Sequence, residues 1–114
     1  MRVTTDFWVS ALVRRVFGEG GFAAILSRGA TEAGAVFVLA RDRFGTTTLY
    51  GPAPQTSYDS ARPDERQFSL LETTEDASSI DARLERERRF DPDIWVIEIE
   101  SNSPVQDLIV LTKL

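Results

Sequence analysis

Apolar residues at three- and four-residue spacing open the chain. Val9, Leu12, Val13, Val16 and Phe17 recur at helical intervals with Trp8 beside them, while Ser10, Arg14 and Glu19 fall elsewhere. That spacing predicts a helix. Thr4, Thr5 and Asp6 offer N-cap oxygens, and "GEGG" (18–21) supplies the stop. The period then shortens to two. "FAAILSR" (22–28), "AVFVLAR" (35–41) and "TTTLYG" (46–51) are rich in strand formers and separated by the turn residues of "GATEAG" and "DRFG". In the second of these, both alternating sets (Val36/Val38 and Phe37/Leu39) are apolar. A strand covered on both faces, and so central, is expected there. Gly45 suits the left-handed position of a hairpin loop, which makes an antiparallel meander the economical arrangement.

Periodicity lapses over residues 51–66, which hold three of the five prolines. An exposed loop is expected, longer than the usual connection of about four to six residues. "QFSLLET" (67–73) resumes as a strand. "DASSIDARLERERRF" (76–90) then shows only a thin apolar stripe, Ala77, Ile80 and Leu84, among charges. It predicts a surface helix with one edge docked, capped by Asp76 or Ser78. Pro92 disfavours helical geometry at Asp91 and ends that helix. In the strand that follows, Trp95, Ile97 and Ile99 point to one face; Ile94, Val96, Glu98 and Glu100 point to the other.

The tail "SNSPVQDLIVLTKL" (101–114) admits two forms. Ser103–Pro104 with Gln106 has the make-up of a helix start. "DLIVLTKL" can instead return as a hairpin partner of the strand before it, and that form is favoured because a ladder is ready beside it. The chain therefore reads as one α+β domain over 1–114, with 101–114 a loosely attached tail. An antiparallel sheet of four to six strands carries two helices, both on one face.

Composition narrows the chemistry. At 114 residues, 42% hydrophobic and 27% charged, the chain is ordinary for a folded domain. It has no Cys and no His, and its single Lys is Lys113. Thiolate chemistry, His-based acid–base catalysis, Ser–Lys and Schiff-base mechanisms drop out. Carboxylates, Arg, Tyr and Ser/Thr remain. No cofactor is expected, since the aromatic face of the first helix carries no polar groups to orient one.

Charge is uneven. Residues 1–56 carry six Arg against four acids, a net +2, and 57–114 carry seven bases against fourteen acids, a net −7. The overall −5 argues against nucleic-acid binding, which requires phosphates to be neutralised. No apolar run approaches the roughly 20 residues of a membrane span. Nor does "FWVSALV" (7–13) carry the flanks of a signal peptide. A cytoplasmic protein with no membrane partner is expected.

Two candidate sites stand out. Asp91, Asp93, Glu98 and Glu100 form an acidic cluster that could hold Mg²⁺ or Mn²⁺ in a small hydrolase or transferase. Their spacing matches no known ligand pattern, so a turn and a solvated strand end are the expected roles and no metal site is assigned. The second candidate is an interaction surface made of Phe7, Trp8, Tyr50, Pro52 and Pro54, with "TTTLYG" as an uncovered sheet edge. It favours a non-enzymatic interaction module, acting as a homodimer or with another protein.

The strings "FWVSALVRRV", "GFAAILSRG", "EAGAVFV", "LYGPAP" and "RFDPDIWVIEIE" together resemble a family of small bacterial proteins known as a domain of unknown function. The resemblance covers roughly residues 5 to 100. It implies a free-standing cytoplasmic domain and brings no activity, cofactor or catalytic residue.

Overall fold

The computed structural model describes residues 3–54 and 65–112. Its first helix, α1 (Thr5–Gly18), starts where the Thr4 hydroxyl accepts the Phe7 N–H at 3.2 Å. It stops as the N–H groups of Glu19, Gly20 and Gly21 turn back onto Arg15, Val16 and Phe17 carbonyls, with Gly20 at φ +84°. Only glycine takes that conformation without steric cost. The strands are β1 (Phe22–Ser27), β2 (Val36–Arg41), β3 (Thr47–Pro52), β4 (Gln67–Thr74), β5 (Trp95–Glu100) and a two-residue β6 (Val110–Leu111). The second helix, α2 (Ala77–Phe90), joins β4 to β5. The fold is α+β, with its six strands in the order β1-β5-β2-β3-β4-β6.

The sheet is mixed rather than purely antiparallel. Strands β2, β3 and β4 make the expected meander, and β1 pairs antiparallel with β5. But β5 runs parallel to β2, and β6 runs parallel to β4. The insertion of β5 between β1 and β2 has a plain cause. Ile94 to Ile97 form an unbroken apolar run, buried on both faces, and such a strand belongs in the middle of a sheet. "TTTLYG", expected as an edge, lies instead between β2 and β4.

The helices cover opposite faces, not one. Against α1 (Val9, Leu12, Val16) pack Val36, Val38, Trp95, Ile97 and Ile99. Against α2 (Ile80, Leu84) pack Phe37, Leu39, Leu49, Ile94 and Val96. A central strand apolar on both sides has two faces to remove from water, and one helix layer can shield only one. Phe17, expected in the core, is 51% exposed at the end of α1.

The tail departs from both expected forms. Val105–Asp107 make one short 3₁₀ turn, and Leu108 and Ile109 are buried beneath α1. The chain thus crosses the α1 face and adds β6 outside β4, rather than returning beside β5. The expected loop at 51–66 is shorter than drawn. Gly51 and Pro52 belong to β3, and the Ala53 N–H bonds the Gln67 carbonyl at 2.9 Å. The remainder of that loop, 55–64, lies outside the described residues. Among the described residues, no helix is long and apolar enough to cross a membrane.

Candidate interaction surface

The four acids do not converge. Asp91 follows the last turn of α2, and its carboxylate accepts the Asp93 N–H at 3.0 Å, closing the expected turn. Glu98 lies further along the chain, within β5. It points to the α2 face and pairs with Arg41 of β2 at 2.5 Å. Glu100 is exposed at the strand end, on a shallow depression of about 770 Å³. Among the described residues, no three acids gather closely enough to hold a metal ion.

The five residues expected to form an apolar surface differ in exposure. Tyr50 is only 7% exposed and belongs to the core under α1, where burial raises its phenol pKa above the ordinary value. It cannot serve as a contact residue. Trp8 is half-buried, its ring 5.5 Å from Phe68 and under the Arg66 guanidinium. Phe7 is exposed on the far side of α1 from the sheet. Pro52 and Pro54 are exposed at and beyond the end of β3. The burial of Tyr50 has one physical source: β3, expected at a sheet edge, is interior.

Exposed apolar side chains collect instead around β1. Phe22 and Leu26 are 49% and 50% exposed on that strand. The Phe22 ring meets Phe17 of α1 edge-on, with centroids 6.0 Å apart. Phe22 also shares the 770 Å³ depression with Phe44 of the β2–β3 turn, Arg41 and Arg43. Leu26 lines a groove of about 250 Å³ between β1 and α2, floored by Leu39, Val96, Ile80 and Leu84. Arg41 belongs to both hollows.

The backbone of β1 completes the surface. Among the described residues, strand β1 ends the sheet and pairs only with β5. Its six residues, Phe-Ala-Ala-Ile-Leu-Ser, include no charge and no proline. Those are the usual means of blunting an edge. A register shift after Ile25 bends the far end and leaves Phe22–Ile25 regular. At the opposite side of the sheet, β6 offers two residues only. The uncharged string was legible in the sequence. That it forms an edge depends on where β5 inserts, and no local signal reports that.

A family model described as "Protein of unknown function (DUF1491)" matches residues 3–108. The chain belongs to the DUF1491 family. It is similar in structure to a protein from A. tumefaciens solved in solution, at 46% identity and a TM-score of 0.83, covering 100% of this chain and 98% of that one. A crystal structure of a DUF1491 family protein from Caulobacter crescentus is similar at 35% identity and a TM-score of 0.78, covering 99% and 100%. An NMR structure of a DUF1491 family protein from the same organism matches at 36% and 0.77, with 99% of each chain covered. None of the curated proteins matches the chain. The family thus extends the fold over nearly the whole length of this domain and carries no biochemical assignment.

Proposed function

We propose that this DUF1491 protein is a non-enzymatic protein-interaction module that works through the edge of β1. One observation carries the reading: an end strand with unpaired backbone groups, no charge and no proline, beside half-exposed Phe17, Phe22 and Leu26. An extended segment added to such an edge gains main-chain hydrogen bonds, while side-chain pockets supply selectivity. The 250 Å³ groove next to Leu26 and the depression next to Phe22 are the pockets available. The chain's chemistry supports the same reading. With no His, no Cys and four dispersed acids, binding is what this surface is equipped to do.

A photoreactive residue placed at Phe22 or Leu26 in the native cell tests it. Irradiation is expected to give a covalent protein adduct from either position and none from Arg86, an exposed position on α2. Equal adducts from Arg86, or none from β1, would refute the assignment of this edge.

A further inference from the structure

We infer that the segment occupying the β1 edge is β1 of a second copy of this chain, added antiparallel about a two-fold axis at Ala24. This rests on the interaction reading above and specifies its occupant. The strand is complementary to itself in that register. With Ala24 opposite Ala24 of the second copy, Ala23 lies opposite Ile25, and Phe22 faces Leu26, the residue at which the register of β1 shifts. Cross-strand partners share a face: Phe22 and Ala24 stand opposite Glu100 and Glu98 on the α2 side, and Leu26 lines the groove beside α2. The two half-exposed large side chains therefore come together at each end of the regular stretch, with the small Ala24 pair between them. A two-fold contact has this isologous form and is the commonest closed symmetry.

Charge complementarity points to the same register. Arg28 just beyond β1 has a largely exposed side chain, held by a long 3.9 Å contact to Asp6 and lying 5.7 Å over the Trp95 ring. Glu19, just before β1, is likewise held only at 3.9 Å, by Arg15. In an antiparallel pair centred on Ala24, Arg28, past the bend after Ile25, comes toward the Gly20–Gly21 turn of the second copy and so toward its Glu19. Opposite charges then close both ends of the ladder. Centring on Ile25 instead sets Phe22 against Arg28 and leaves Glu19 without that partner. The flank of α1 above this edge is marked by Asp6, beside Arg28, and by Phe17, against Phe22. Two six-stranded sheets would join into one continuous sheet, leaving only the short β6 edges open.

The absence of cysteine makes the register directly testable. Directly opposed residues in an antiparallel pair have Cα atoms about 4.5–5.5 Å apart. That lies within the range of roughly 4.4–6.8 Å that a disulfide spans. Ala24→Cys is therefore expected to yield a disulfide-linked dimer on mild oxidation. Ser27→Cys, beyond the bend and far from its own counterpart, is expected to stay uncrosslinked. Sedimentation equilibrium of the unmodified chain, from about one to a few hundred micromolar, is expected to show the dimer. Leu26→Lys, which places a charge on the edge, should weaken it at least tenfold while leaving the far-UV circular dichroism unchanged.

A wild-type monomer across that range overturns the second copy as occupant. A dimer that survives Leu26→Lys, or that crosslinks through Ser27→Cys and not Ala24→Cys, overturns the surface or the register. The two proposals separate cleanly. Adducts to a different protein at Phe22, with a monomeric purified chain, remove the homodimer and leave the interaction module standing. No adduct at β1 removes both.

Discussion

Asp76 starts α2 with one carboxylate, which accepts the Ser78 hydroxyl at 2.6 Å and the Ser78 N–H at 3.0 Å. The Ser78 side-chain bond, then its backbone bond, holds the Asp76 carboxyl below the usual carboxylate range. A pKa depressed by folding adds stability above the unfolded-state value, and that stability is lost as pH falls through the folded one. Asp76→Ala is therefore expected to lower the melting temperature at neutral pH, with the gap to wild type closing in acid. Thermal melts across pH check this; a gap that persists undiminished in acid would rule out the ionised cap as its source. This cap and the Asp91 turn were legible in the sequence because donor and acceptor lie two residues apart. The Arg41–Glu98 pair was not, because 57 positions separate its members and only strand order joins them.

At the scale of elements, residues 29–34 do more than connect. Because β5 lies between β1 and β2, this connection spans a strand and closes on the start of β5. The Ala30 N–H donates to the Asp93 carbonyl at 2.9 Å, and the Ala30 carbonyl accepts the Trp95 indole N–H at 2.8 Å. Its other side holds the start of α1, where the Thr5 and Asp6 N–H groups bond Glu32 and Thr31 carbonyls. Gly29 is required by proximity, since a Cβ there would stand 2.0 Å from the Asp93 carbonyl oxygen. Backbone cannot yield as a side-chain tip can. Gly29→Ala is expected to cost about 1–3 kcal/mol or more. Gly18→Ala, where a Cβ meets nothing within 4 Å, should be neutral or stabilise by up to roughly 1 kcal/mol. Urea denaturation decides between them through the midpoint at unchanged m-value. "GATEAG" showed turn composition but not this second task, which needs β5 to be in place.

Across the whole molecule, one sheet couples two cores. Leu84 is 4% exposed on the α2 side, whereas Trp8 and Trp95 both lie on the α1 side. Strands β2 and β5 contribute alternate residues to both, so neither core can be lost while the other stays packed. Leu84→Ala should cost about 2–5 kcal/mol. Tryptophan fluorescence and far-UV circular dichroism should report the same lowered transition, as a two-state domain requires. Fluorescence holding at the wild-type midpoint while ellipticity falls early would show that the faces unfold separately.

What the sequence by itself determined was everything carried by neighbours. The two helices, their caps, the first five strand-forming segments, and the sidedness of Trp95, Ile97 and Ile99 all follow from period, turn residues and proline placement. Even the clue to two-sided cover is present, in the doubly apolar Val36–Leu39. Tertiary structure alone decided strand order, and with it the burial of Tyr50, the exposure of Phe22 and Leu26, and the edge at β1. The reason is physical. Side-chain period records which face a residue takes, whereas strand order is set by which ladders and buried surfaces are jointly most favourable over the whole chain. That is a sum over distant pairs, and no short stretch contains it.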